Sequence, residues 1–87
     1  MTTKIKTILI TGCSTGIGYK TAVQLKQRGY RVIASARATE DVARLITEGF
    51  ETIQLDLADS DSIQSAVKEL IEITAGQLDG LFNNAAF

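Results

Sequence analysis

Three glycines stand close together in Thr11-Gly12-Cys13-Ser14-Thr15-Gly16-Ile17-Gly18, between a short apolar run and a longer periodic one. At a strand-to-helix junction each has a physical use. Gly12 permits a tight turn out of the strand. Gly16 lets backbone approach a pyrophosphate with no side chain in the way. Gly18 lets the helix pack close to the sheet. The free N–H groups and the dipole of a helix start then favour phosphate charge, so Ser14, Thr15 and Ile17 complete a candidate anion cradle. Gly18-Tyr19-Lys20-Thr21 is not a nucleoside-triphosphate loop, because that motif needs lysine directly after its last glycine and Tyr19 intervenes. Cys13 reads as a small residue filling the turn. The chain has no histidine, the commonest general base and metal ligand, and no metal site is expected.

The elements that must position this turn alternate regularly. Ile5 to Thr11 reads as a first strand, with Ile8-Leu9-Ile10 as a continuous apolar run suited to burial on both faces. Ile17 to Arg28 reads as a helix with Ala22 and Leu25 inward and Gly29 as its stop. Arg31 to Ser35 is a second strand. Thr39 reads as an N-cap, with Glu40 and Asp41 in the first turn of a helix that carries Val42, Leu45 and Ile46 inward and ends near Gly49. Glu51 to Asp56 alternates between polar and apolar residues, as an edge strand with one wet face does. Asp59 or Ser60 caps a third helix, whose apolar stripe is Ile63, Ala66, Val67, Leu70 and Ile71, with Gly76 following. Leu78 to Asn83 is a fourth strand.

The order β-α-β-α-β-α-β implies an α/β fold, a Rossmann-like, doubly wound parallel sheet. Spatial order 3-2-1-4 places the alternating strand at an edge and the fourth strand beside the first. In such sheets the ligand crevice opens outside the carboxyl ends of the strands, where the order reverses. Arg37, Asp56-Leu57 and Asn83-Asn84-Ala85 all fall at such ends. Asp56 also suits the turn after its strand, as aspartate often does.

The glycine spacing is Thr-Gly-x-x-x-Gly-x-Gly, and with Asp56-Leu57, Asn83-Asn84-Ala85 and Arg37 in order it resembles the short-chain dehydrogenase/reductase family across all 87 residues. One departure is Ala86, where the family's Asn-Asn-Ala-Gly has glycine. The resemblance implies a nicotinamide dinucleotide site made of Gly12, Ser14, Thr15, Gly16, Ile17, Gly18, Arg37, Asp56, Leu57, Asn83, Asn84 and Ala85. It implies an adenine contact for Asp56, with the Leu57 backbone beside it. Of Asn83 and Asn84, one braces the central strands and the other borders the nicotinamide ribose. The second strand ends Ser35-Ala36-Arg37 with no carboxylate for a ribose 2′-hydroxyl. Arg37 is suited to a 2′-phosphate, so NADP(H) is expected over NAD(H).

The resemblance further implies hydride transfer between NADP(H) and a small carbonyl or alcohol substrate, using a Tyr-x-x-x-Lys pair and a serine. Tyr19 and Tyr30 are followed four residues later by Val23 and Ala34. Residues 1–87 are therefore expected to be a dinucleotide-binding half-domain without the catalytic half, inactive alone, with an exposed fourth strand prone to pairing. The alternatives are a non-catalytic NADP(H)-binding module, or an interaction protein that pairs through that strand. Composition bounds the rest. Nine Lys and Arg against ten Asp and Glu, with no basic stripe, argue against nucleic acid. No apolar run approaches a membrane span, and a single cysteine fits a reducing compartment. A cytoplasmic homo-oligomer is expected.

Overall fold

Alternating inward and outward side chains on consecutive short strands build the two faces of one sheet. In the computed structural model, which describes residues 5–14 and 16–84, the elements run β1 (Thr7–Ile10), α1 (Gly16–Gln27), β2 (Arg31–Ala36), α2 (Thr39–Thr47), β3 (Glu51–Gln54), α3 (Ser60–Thr74) and β4 (Gly80–Phe82). All pairings are parallel and the order is β3-β2-β1-β4, the order expected from the sequence. Leu9 lies beside Ile33 and Leu81, and Ile10 beside Ala34 and Phe82.

The period of two sorts the core into two clusters. Ile10, Val32, Ala34 and Ala36 pack with Ala22 of α1, Leu45 of α2 and Phe50 on one face. Leu9, Ile33 and Ile53 pack with Ala66 of α3 on the other. Helices therefore cover both faces, the doubly wound arrangement.

The helix ends follow local chemistry. Gly29, at φ +95°, ends α1, with the Tyr30 N–H donating to the Leu25 carbonyl. This six-to-one bond closes a left-handed glycine cap. The Asp59 side chain accepts from the N–H groups of Asp61 and Ser62 and caps α3. At the far end of α3 the left-handed residue is Ala75, at φ 54°, followed by Gly76.

Several sequence expectations need correction. The N-cap of α2 is Ala38, in extended backbone with no side-chain cap bond, and Thr39 is already helical. The Thr39 hydroxyl instead accepts from the Gln54 amide at 3.2 Å, so it faces β3. Ile46 is exposed because the inward stripe of this nine-residue helix narrows to Leu45 and half-buried Val42. Val67 and Ile71 are exposed, while Ile63, Ala66 and Leu70 face inward. The helix packs over β3 and the sheet centre through Ala66, and the flank carrying Val67 and Ile71 is left uncovered among the described residues. Strands β1, β3 and β4 are each shorter than expected, although Thr11, Leu55 and Asp79 still donate backbone hydrogen bonds to the neighbouring strands.

Candidate cofactor-binding site

Parallel strands deliver all their carboxyl ends to one edge of the sheet, and the candidate residues sit there. In spatial order the edge carries Asp56 and Leu57 after β3, Arg37 after β2, the glycine-rich turn after β1, and Asn83 and Asn84 after β4. Three inter-strand spacings make this row about 14 Å long. Thr15 and Ala85 lie outside the described residues.

The glycine-rich turn has a backbone that only glycine adopts easily. Gly12 and Gly16 both have φ +68°, in the left-handed region that penalises a Cβ. Gly18 is required for a different reason. A Cβ there would stand 2.3 Å from the Gly12 carbonyl oxygen and 2.6 Å from Asn84 Nδ2. The start of α1 is thus pressed against the turn and against the end of β4, which is a cradle that a side chain would fill.

Asparagines clasp the turn from β4. The Thr11 hydroxyl donates to Asn83 Oδ1 at 2.9 Å and accepts from the Asn84 N–H at 2.9 Å. Asn84 Nδ2 donates to the Gly12 carbonyl at 3.3 Å, and the Thr11 N–H donates to the Phe82 carbonyl at 3.0 Å. On the other side, the Cys13 N–H donates to the Ser35 carbonyl of β2 at 2.9 Å. The Cys13 side chain is fully buried, and its burial pushes the thiol pKa up. The thiol donates to the Ile10 carbonyl at 3.1 Å. It packs the turn and is held neutral.

The helix behind the turn is electrostatically open. Helices α2 and α3 carry acidic residues in their first turns, Glu40 and Asp41 in one and Asp61 in the other. Helix α1 carries none. Its positive end has no carboxylate of its own to compete with an anion. The residues present therefore fit a pyrophosphate at this edge.

The remaining candidates divide. Arg37 is exposed and has no ion-pair partner among the described residues, while its backbone carbonyl accepts from Gln54 Nε2 at 3.0 Å. Asp56 forms its own turn: Oδ1 accepts from the Ala58 N–H at 3.0 Å, and the Asp56 N–H donates to Ser62 Oγ at 2.9 Å. The turn-forming reading of Asp56 is thereby present in the structure. Ile17 and Gly16 are exposed at the mouth of the helix. Among the described residues no group of His, Cys, Asp and Glu is placed to hold a metal, and no helix is long and apolar enough to cross a membrane.

Sequence reasoning missed two contributors to the site, Thr11 and Arg44, and one contact that fixes β4 from its opposite end. Thr11 joins both asparagines, whereas the sequence offers it only as a strand end that opens the glycine motif, with no role in the site. Asp79 locks the entry to β4, its carboxylate accepting from the Thr7 N–H at 2.8 Å and its own N–H donating to the Thr7 carbonyl at 2.8 Å. Arg44 reaches from α2 to the Ser14 carbonyl. All three act over sequence separations of 30 or more, and no local spacing signals them.

Comparison with known proteins agrees with this geometry. A family model described as short chain dehydrogenase matches residues 6–87. An uncharacterized oxidoreductase of Escherichia coli (strain K12) is 44% identical over 82 residues, covering 94% of this chain and 30% of the relative. An NADPH-dependent 1-acyldihydroxyacetone phosphate reductase of Schizosaccharomyces pombe is 42% identical over 81 residues, covering 92% of this chain and 27% of the relative. Among solved structures, an actinorhodin polyketide ketoreductase with NADPH superposes with a TM-score of 0.81 at 30% identity, over 95% of this chain and 34% of that one. The chain thus spans about 30% of the length of the relatives it matches.

Proposed function

This chain belongs to the short chain dehydrogenase family of oxidoreductases, and from that premise we propose that it is the NADP(H)-binding part of an enzyme that moves hydride between the cofactor and a small carbonyl compound or its alcohol. The observation that carries the reading is the cradle at the carboxyl edge, where Gly18 has no room for a Cβ between Gly12 and Asn84 and the α1 N-terminus has no acid of its own. When bound, the nicotinamide supplies or accepts the hydride. The chain's residues bind and orient. Gly12, Gly16 and the start of α1 receive the pyrophosphate, Asn83 and Asn84 brace the edge beside it, and Asp56 with Leu57 borders the adenine end.

Arg37 selects the cofactor in this reading. It follows β2, has no ion-pair partner among the described residues, and stands where an NAD-preferring site carries a carboxylate. The names of two comparison proteins point the same way, one NADPH-dependent and one solved with NADPH. The test is equilibrium binding of NADPH and NADH to the intact protein and to its Arg37→Asp variant. The variant is expected to lose NADPH affinity about tenfold or more, the worth of charge-assisted hydrogen bonds, and to gain affinity for NADH. Unchanged NADPH affinity would reject the assignment.

Proton transfer belongs to residues outside this segment. Neither Tyr19 nor Tyr30 has lysine four positions on, and the Tyr19 hydroxyl donates to Glu48 Oε1 at 2.6 Å, between α1 and the end of α2. Residues 1–87 alone are expected to hold cofactor without turning substrate over.

A further inference from the structure

We propose that Arg44 of α2 is a positioning residue that holds the glycine-rich turn in its receiving shape before any cofactor arrives, an inference that rests on the dinucleotide reading of that turn. Its Nη2 donates to the backbone carbonyl of Ser14, in the middle of the turn. Among the described residues, the ties from the strands to the turn reach Thr11, Gly12 and Cys13 and stop short of Ser14. Gly12 is held from β4 through Asn84, and Cys13 is held from β2 through Ser35.

The guanidinium is itself fixed from several sides. Asp41 Oδ1 lies 3.7 Å from Nη2, and Glu48 Oε2 lies 3.5 Å from Nη1. The Tyr19 ring lies beneath it, 5.8 Å from the guanidinium carbon to the ring centroid. The Tyr19 hydroxyl in turn donates to the other oxygen of Glu48. One planar fork thus joins α1, α2 and the turn. A lysine would offer a point charge in place of that fork.

Glycine at positions 12 and 16 gives this turn more backbone freedom than residues with a Cβ would have there. Ordering it on binding subtracts from affinity, and a tether that orders it beforehand removes that cost. The charge balance separates this role from phosphate binding. Arg44 faces two carboxylates, whereas Arg37 has none among the described residues. The tether acts on the pyrophosphate turn, which NADPH and NADH share. Loss of Arg44 therefore weakens both cofactors alike, whereas loss of Arg37 discriminates between them.

The experiment compares wild type, Arg44→Met and Arg44→Lys in the intact protein. Methionine keeps an apolar stem and removes every donor. Hydrogen exchange of the backbone amides of residues 12–18 is read without cofactor, beside binding of NADPH and NADH. Arg44→Met is expected to speed exchange several-fold within residues 12–18 and not across the sheet, and to weaken both cofactors by a similar several-fold factor. Arg44→Lys is expected to fall between. Unchanged exchange in the turn, exchange raised evenly throughout the protein, or a loss confined to NADPH would each overturn the proposal. Should Arg44→Met fail to fold, Tyr19→Phe keeps the ring and removes only the bond to Glu48. It is expected to raise exchange in the same residues by a smaller factor, and no change there would count against the tether. If wild type binds neither cofactor, the dinucleotide reading falls, while the exchange result still decides whether Arg44 holds the turn.

Discussion

At the scale of the residue, Gly18 concentrates the most constraint in the least material. Its hydrogen occupies space that no Cβ can share, since both nearest atoms belong to groups already hydrogen-bonded to each other, the Gly12 carbonyl and the Asn84 amide. Gly18→Ala is expected to push α1 off the turn, lower stability by about 1–3 kcal/mol as overpacking does, and abolish measurable cofactor binding. Thermal unfolding and a binding titration read the two effects. Wild-type affinity in the variant would show that the helix start has slack that the close contact denies. Cys13 makes a milder claim. Burial holds its thiol above the ordinary range, so the folded state disfavours the thiolate. Any stability this contributes is complete below the unfolded thiol pKa and is lost as pH rises through the folded one. Alkylation of the native protein near neutral pH is accordingly expected to be slow, and fast labelling would contradict the burial. The glycines were legible in the sequence because backbone geometry demands the residue type itself. Arg44 was not, because an arginine on a helix is common everywhere, and although Thr11 opens the glycine motif, its bonds to the asparagines were not legible either. Only the fold brings Arg44 to Ser14 and Thr11 to Asn83.

At the scale of the element, the edge strand β3 is held by a fork across the sheet. Arg31 Nε and Nη2 donate to Glu51 Oε2 and Oε1 at 2.8 and 2.7 Å, and Nη2 also donates to the Ile73 carbonyl at 2.8 Å. One side chain so joins β2, β3 and the last turn of α3. The Arg31 hydrogen bond holds the Glu51 carboxyl below its usual range. A carboxylate with a depressed folded pKa contributes stability that is present above the unfolded value and lost as pH falls through the folded one. The pair is partly exposed, so water and salt limit its worth to about 1 kcal/mol or less. Glu51→Gln is expected to cost no more than that at neutral pH and to flatten the decline of stability below the ordinary carboxylate range. A chemical-denaturation series against pH reads both. An identical pH profile in the variant would show that Glu51 adds nothing. Element order and strand order were readable in advance because alternation marked β3 as an edge and the continuous run in β1 marked a strand covered on both faces. The cap of α2 was not. Thr39 is a good capping residue on local chemistry, but Gln54 of the neighbouring strand engages its hydroxyl, and local propensity yields to that tertiary contact. Nor was the orientation of α3 readable, since a five-residue apolar stripe does not say which of its flanks the sheet covers.

At the scale of the whole molecule, the two faces of the sheet are unequally finished on the β4 side. Leu81 lies beside Leu9 in register and points to the face that α3 covers, yet it is 61% exposed, and Phe82 is 39% exposed. Val67 and Ile71 of α3, the helix on that face, are also about half exposed. Among the described residues β4 is an edge, with three strands' worth of sheet on one side of it. An apolar edge of this kind offers unpaired backbone groups to any extended segment that reaches it. The chain spans about 30% of the length of its relatives. A polypeptide restricted to these 87 residues is then expected to self-associate at micromolar concentration, measured by sedimentation or light scattering. Leu81→Lys puts a charge on the edge without touching the buried clusters and is expected to reduce that association, with the circular dichroism of the folded state retained. A restricted polypeptide that stays monomeric, or one whose association ignores the lysine, would place the sticky surface elsewhere. The exposed flank of α3, probed in turn by Val67→Lys, would be the next surface to examine.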